Sequence, residues 1–230
     1  MAKLDFPVNI QRKTVAVSER GFGTILVVDN TMDIDYTLVD YNYVNDLKPD
    51  SKLFKLLNRL FAQKPQPQEV AVYGKADGSM ADTVRELLNS GRTDWFWLTT
   101  TDNSLETVKD LSDIAQTNSK LYAVTINEYS DCEALFEEVY ENTFVDYHDD
   151  EDAFSAEATA VIMSYNVGGK TAKFKAIQGV KRANVSDTQI YDLHKNGINT
   201  YVEKLGVLQR SEGLVLSVSY THLTLPTKRV

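Results

Sequence analysis

The sequence predicts an α/β fold: a mostly parallel sheet with flanking helices, an extended N-terminal strand arm and an incomplete C-terminal β-containing region. Three observations predict it. Short apolar runs rich in β-branched and aromatic residues recur at Val70–Tyr73, Trp95–Leu98, Leu121–Ile126 and Thr143–Tyr147, starting about 25 residues apart. That is the length of one strand-plus-helix unit, and continuous apolar strands suit a sheet covered on both faces. Amphipathic stretches fill the intervals, and the capping patterns Ser79-x-x-Asp82, Ser130-x-x-Glu133 and Ser186-x-x-Gln189 mark helix starts.

Taken in order, Asp5–Val17 alternates apolar and polar residues and reads as an isolated strand, with Gly21-Phe-Gly23 as a hinge behind it. A strand so placed has unpaired backbone groups unless something pairs with it. Ile25–Val28 reads as a buried strand. Leu53, Phe54, Leu56, Leu57, Leu60 and Phe61 mark a helix that the Lys64-Pro-Gln-Pro-Gln68 turn ends. Met80, Val84, Leu87 and Leu88 form a helical stripe, as do Leu105, Val108, Leu111 and Ala115. Cys132, Leu135, Phe136, Val139 and Tyr140 follow the same spacing and predict a third such helix. Ala153–Tyr165 fits either helix or buried strand. Beyond it come a strand-like Ala172–Ile177, a helix Asp187–Lys195, and strands Thr200–Leu205 and Val207–Arg210. The expected organisation is an arm at 1–20, an α/β domain at 21–150, a continuation at 151–217, and a separate tail at 218–230.

Composition narrows the function classes. The chain has 230 residues, 43% of them hydrophobic and 25% charged, with a formal net charge of −9. An acidic chain is a poor partner for nucleic acid, whose phosphates demand basic surface. A single cysteine, Cys132, excludes an internal disulfide and fits a reducing compartment. No apolar leader or membrane span is visible, so the expectation is a soluble protein made in a cytoplasm.

The motifs that carry chemistry are few. Gly168-Gly-Lys-Thr171 suggests a phosphate loop, but Ser164 stands where the first glycine belongs and strand-like residues follow it. Gly21-Phe-Gly23 lacks the third glycine of a dinucleotide fingerprint. His148-Asp-Asp-Glu-Asp152 combines donors suited to a divalent metal beyond a predicted strand, although adjacent acids more often form solvated loops and Asp152 is placed to cap the next helix. Thr99-Thr-Thr-Asp102 and Asn127-Glu128 read as strand-to-helix loops that could line a pocket. Cys132 fits a core stripe better than a nucleophile, and His194 is expected on an exposed helix face. The expectation is therefore no catalytic, cofactor-binding or metal residue and no cofactor. The rival is an α/β enzyme or nucleotide-binding domain using Thr99–Asp102, Glu128 and His148–Asp152.

Two resemblances go further. Val218-Ser-Tyr-Thr-His-Leu-Thr-Leu-Pro-Thr227 is identified as a translated frame of a transposon-end sequencing adapter, which places the end of natural sequence near Ser217 and removes His222, Lys228 and Arg229 from the fold. Before that point, Glu69-Val-Ala-Val-Tyr-Gly74, Asp94-Trp-Phe-Trp-Leu98, Asn118-Ser-Lys-Leu-Tyr122 and Asp146-Tyr-His-Asp149 occur in a characteristic order. Lys173-Phe-Lys-Ala-Ile-Gln-Gly-Val180, Asn199-Thr-Tyr-Val202 and Ser211-Glu-Gly213 continue it. In this the chain resembles the contractile phage and prophage tail sheath family. The resemblance implies a structural, non-enzymatic subunit of a virion tail, assembled in the bacterial host cytoplasm. It would polymerise helically with itself by strand exchange around the tail tube protein, contact baseplate and tail terminator proteins, and contract to drive DNA injection. It implies no direct contact with nucleic acid or membrane. Family members continue past the Ser-Glu-Gly motif into a further strand and a lattice-forming region, so Leu214-Val-Leu216 is expected to be the start of an interrupted strand.

Overall fold

The computed structural model describes residues 24–76, 78–136, 138–164, 176–204 and 206–211. The N-terminal arm, both glycine-containing motifs and the 218–230 tail lie outside these residues. Among the described residues, eight strands form one sheet: β1 (Thr24–Asp29), β2 (Ile34–Val39), β3 (Val70–Gly74), β4 (Trp95–Thr100), β5 (Leu121–Ile126), β6 (Thr143–Tyr147), β7 (Asn199–Lys204) and β8 (Val207–Arg210). Their spatial order is β2-β3-β1-β4-β5-β6-β7-β8. The pairs from β3 through β7 are parallel, while β2 and β8 run antiparallel at the two edges. The predicted mostly parallel α/β fold is what forms.

Alternation along each strand sends successive side chains to opposite faces. Leu26 and Val28 of β1 join a core under α3 (Met80–Asn89), α4 (Leu105–Thr117), α5 (Tyr129–Glu133) and α7 (Asp187–Lys195). Ile25 and Val27 join the opposite core, under α1 (Tyr41–Val44), α2 (Lys52–Phe61) and α6 (Ser155–Ser164). Helix starts follow local chemistry. Ser51, Ser79 and Ser186 each accept a bond from the third helical N–H, and Ser186 with Gln189 completes a reciprocal capping box.

The structure corrects several expectations. The third amphipathic helix stops at Glu133, and Ser130 lies inside it instead of capping it. Beyond Glu133 the bonds run three residues back, from Leu135 N to Cys132 O, Phe136 N to Glu133 O and Glu138 N to Leu135 O. A tightened turn stacks residues three apart, so Cys132 and Leu135 are buried while Val139 is 50% exposed. Thr99 and Thr100 belong to β4 and not to the loop after it. Ala176 and Ile177 are not strand; the Ile177 N–H donates to the Tyr201 hydroxyl at 2.7 Å. Strand β2 and helix α1 had no counterpart in the sequence reading. The ambiguous segment is helical over Ser155–Ser164, and this α6 is buried at every residue but Met163. Its outer side is covered by a small cluster in which Ala158 meets Ile177, Val180 and Tyr201. A helix buried on all sides shows no amphipathic period.

A turn at Gln178–Gly179 fastens this cover to α2. Arg59 Nη1 donates to Gln178 O and Nη2 to Asp152 O, each at 3.1 Å, and Gln63 exchanges bonds with the Gln178 backbone. Gly179 has φ of +76°, and a Cβ there would lie 2.1 Å from Arg59 Nη1. Gly179→Ala is therefore expected to cost about 1–2 kcal/mol, from left-handed strain and displacement of the guanidinium. Chemical unfolding of the two proteins measures it, and an unchanged midpoint would contradict the clamp.

Candidate functional site

Open α/β sheets bind ligands beyond the carboxyl ends of their strands, where the strand order reverses. Here the reversal lies at β1, which has β3 on one side and β4 on the other. Asp29 ends β1 at that point and is fully buried. Its Oδ1 accepts from the Thr101 hydroxyl at 2.7 Å, and its Oδ2 from the Thr31 hydroxyl at 2.6 Å and the Thr31 N–H at 3.2 Å. The crevice is closed by the chain's own side chains.

The same holds along the edge. Thr100 donates to Asp102 O at 2.8 Å. The Asp102 carboxylate accepts from Ser104 N at 3.0 Å and from the Thr107 hydroxyl at 2.6 Å, covering the start of α4. Burial works against the charge, but the bonds from Thr107 and Ser104 outweigh it and hold this carboxyl below its ordinary range. Thr99 is buried, and its hydroxyl has no hydrogen-bond partner among the described residues. Asn103 donates to Thr125 O and to Asn127 Oδ1, and Asn127 donates onward to His148 O and Asp150 O. Glu128 sits exposed at the start of α5 without a side-chain capping bond.

His148 is 1% exposed and has both ring nitrogens engaged. Nδ1 accepts from the Asp150 N–H at 2.9 Å, which leaves the proton on Nε2 to donate to Lys181 O, also at 2.9 Å. The acids that follow diverge. Asp149 accepts from Asn184 N, Asp150 from Asp152 N, and Asp152 pairs with Lys55 on α2 at 2.8 Å. Asp152 thus ties two elements together instead of capping α6. Among the described residues, no group of three His, Cys, Asp or Glu side chains converges as a metal-ligand set.

His194 corrects the expectation of an exposed side chain: it is half-buried, with Nε2 2.6 Å from the Ser211 hydroxyl. A serine bonded to a histidine is the first element of a nucleophilic pair. Ser211, however, is completely buried, and its oxygen also accepts from Thr200 N at 3.1 Å, so the pair pins the end of β8 to β7 and α7. An open groove of about 380 Å³ lies nearby, lined by Arg182, Tyr191, His194 and Glu203 among others; none of the carboxyl-edge residues above contributes to it. Cys132 is buried, and burial with Asp131 and Glu133 alongside pushes its thiol up, the opposite of a reactive cysteine.

Sequence reasoning missed the most unusual polar cluster. The start of α6 faces Asp146 on β6 and carries Glu157, both shut off from solvent. Ala156 N donates to the Thr125 hydroxyl, Ser155 Oγ to Asp146, and Thr125 N to Glu157 at 2.8 Å. A helix N-terminus beside a parallel sheet commonly holds a bound anion; here the protein's own carboxylates take that position. Arg210 from β8 closes the cluster against Asp146 at 2.6 Å. The available signal was a charge inside the apolar run Thr143–Tyr147, since a charge in a buried strand demands a partner.

No family profile matches the chain, and no curated protein matches it in sequence. Solved structures do match in fold. The chain is similar to the crystal structure of the sheath tail protein from Desulfitobacterium hafniense, with a TM-score of 0.60 over 96% of this chain and 76% of that one, at 9% identity.

Proposed function

We propose that the chain is a structural subunit of a contractile tail sheath, part of a virion tail assembled in the host cytoplasm. The observation that carries this reading is the fold shared with a sheath tail protein over 96% of the chain, taken with the seven ordered motifs. The state of the carboxyl edge supports it too. An enzyme using Thr99–Asp102, Glu128 and His148–Asp152 needs groups free to meet a substrate, whereas most of these are spent on bonds that brace strands, loops and α2. Such bracing suits a rigid body that transmits force.

In this reading residues 1–20 form an arm that adds a strand to a neighbouring subunit, and 21–150 and 151–217 form the body. Residues 218–230 stand apart from that body. Head-to-tail strand addition does not close on itself and builds helical filaments. Rotation of rigid bodies joined by such arms then shortens the lattice, with no cofactor required. The partners are further copies of the chain, the tube protein around which they stack, and the baseplate and terminator proteins at the two ends. DNA passes through the tube without touching the sheath, and no membrane contact is needed. Among the described residues no helix is long and apolar enough to cross a membrane.

Electron microscopy tests it. Expressed from its native gene, the protein is expected to form hollow tubes of uniform width, and a product that stays monomeric at high concentration overturns the sheath reading.

A further inference from the structure

Two carboxylates and one guanidinium meet in the interior, and the guanidinium comes from an edge strand. Arg210 ends the four-residue β8, which among the described residues pairs with β7 alone. Its side chain nevertheless reaches back past β7 to β6. There Nη2 lies 2.6 Å and Nε 2.9 Å from Asp146 Oδ1, with Nε 3.1 Å from Oδ2. All three of Asp146, Glu157 and Arg210 are essentially inaccessible. Thr125, which binds Glu157 through both its N–H and its hydroxyl, is the register partner of Asp146 across the β5–β6 pair.

We propose that this cluster is a proton-linked latch: β8 detaches from the sheet when a proton enters to take the place of Arg210 on Asp146. A buried carboxylate that loses its cation is too costly to leave charged, so it takes up a proton. Among the described residues, the groups around it are Thr125 from β5, Ser155 and Glu157 from α6, and Arg210 from β8, whose guanidinium also lies over the Phe144 ring. On β7, Asn199 bonds the Val145 carbonyl next to it. Arg210 is the one base in this set, so nothing else in it can take over the neutralising role. Glu157 lies beside Asp146 and, being an acid, offers no positive charge in place of Arg210. Detachment of β8 therefore takes up protons and becomes easier as pH falls.

Native-state hydrogen exchange of the whole chain tests this, with rates divided by the intrinsic exchange rate to give opening constants. The opening constants of the Tyr201–Lys204 and Val207–Arg210 amides are expected to rise about three- to tenfold per unit of falling pH between 7 and 5. The β1 amides Ile25–Val28, which need global unfolding to exchange, are not expected to share that rise. In D146N/R210M the rise at β7 and β8 disappears, because position 146 no longer carries a charge for a proton to neutralise. In E157Q, which keeps the ion pair, it persists. A flat or falling wild-type profile overturns the latch, as does a rise that survives in D146N/R210M or vanishes in E157Q. The wild-type and E157Q profiles decide the matter even if the double variant does not fold.

Discussion

Arg210→Met is expected to lower the unfolding free energy by about 3–5 kcal/mol, the cost of leaving one member of a buried ion pair without its partner. Arg210 and Asp146 are both 0% exposed, so water cannot replace the missing guanidinium. Ser155 Oγ, at 3.0 Å from Oδ2, is another hydrogen-bond donor on that carboxylate, and a neutral one. The variant also gives up the guanidinium's position over the Phe144 ring, at 6.0 Å. The double variant D146N/R210M is expected to recover most of the loss, since a neutral pair of similar volume carries no unpaired charge. Urea denaturation of the four proteins in the cycle measures both effects. A single variant within about 0.5 kcal/mol of wild type would contradict a desolvated pair, because that is the range of surface substitutions.

The second large effect is on the pH dependence of stability. Burial first, then the negative charge of Asp146, raises the Glu157 carboxyl to about 7 from an ordinary 4.5, although the bonds from Thr125 pull the other way. A folded-state value above the unfolded one means that the native protein holds a proton the unfolded chain releases. The stability this contributes is fully present below pH 4.5 and is lost as pH rises through 7. The shift corresponds to about 3 kcal/mol. Glu157→Gln, which cannot titrate, is expected to remove this component. The difference in stability between wild type and E157Q should therefore move by about 3 kcal/mol against wild type from pH 4.5 to 8. A difference independent of pH would show that Glu157 is solvated in the folded state. Asp102, held below its ordinary range, acts in the opposite sense at the acid end; comparison of the two proteins cancels its contribution.

The regular part of the fold was legible because its signals are local. Strands β1, β3, β4, β5 and β6 are apolar runs, and α2, α3 and α4 carry stripes of helical period, so periodicity locates them. Strand β2 was not legible. Ile34-Asp-Tyr-Thr-Leu-Val39 is half exposed along an edge, and only the β3 strand beside it makes it a strand. Helix α5 failed for the opposite reason: its apolar spacing fits a long helix, but the chain tightens after Glu133 and leaves Val139 in solvent. At the candidate site, the sequence named most of the carboxyl-edge residues but not their partners. His148 is held by Lys181 O, 33 residues away, and Asp29 by Thr101, 72 residues away.

By itself, then, the sequence determined the α/β class and the order of most strands and helices. These follow from side-chain periods and capping patterns, both carried by contiguous chain. Tertiary structure alone decided which polar groups are spent on one another. It buried Glu157 with no cation on it among the described residues, brought Arg210 across β7 to Asp146 over 64 residues of sequence, and bonded the polar groups of the carboxyl edge to one another. Desolvation and pairing depend on what surrounds a group in space, and one-dimensional spacing does not carry that information.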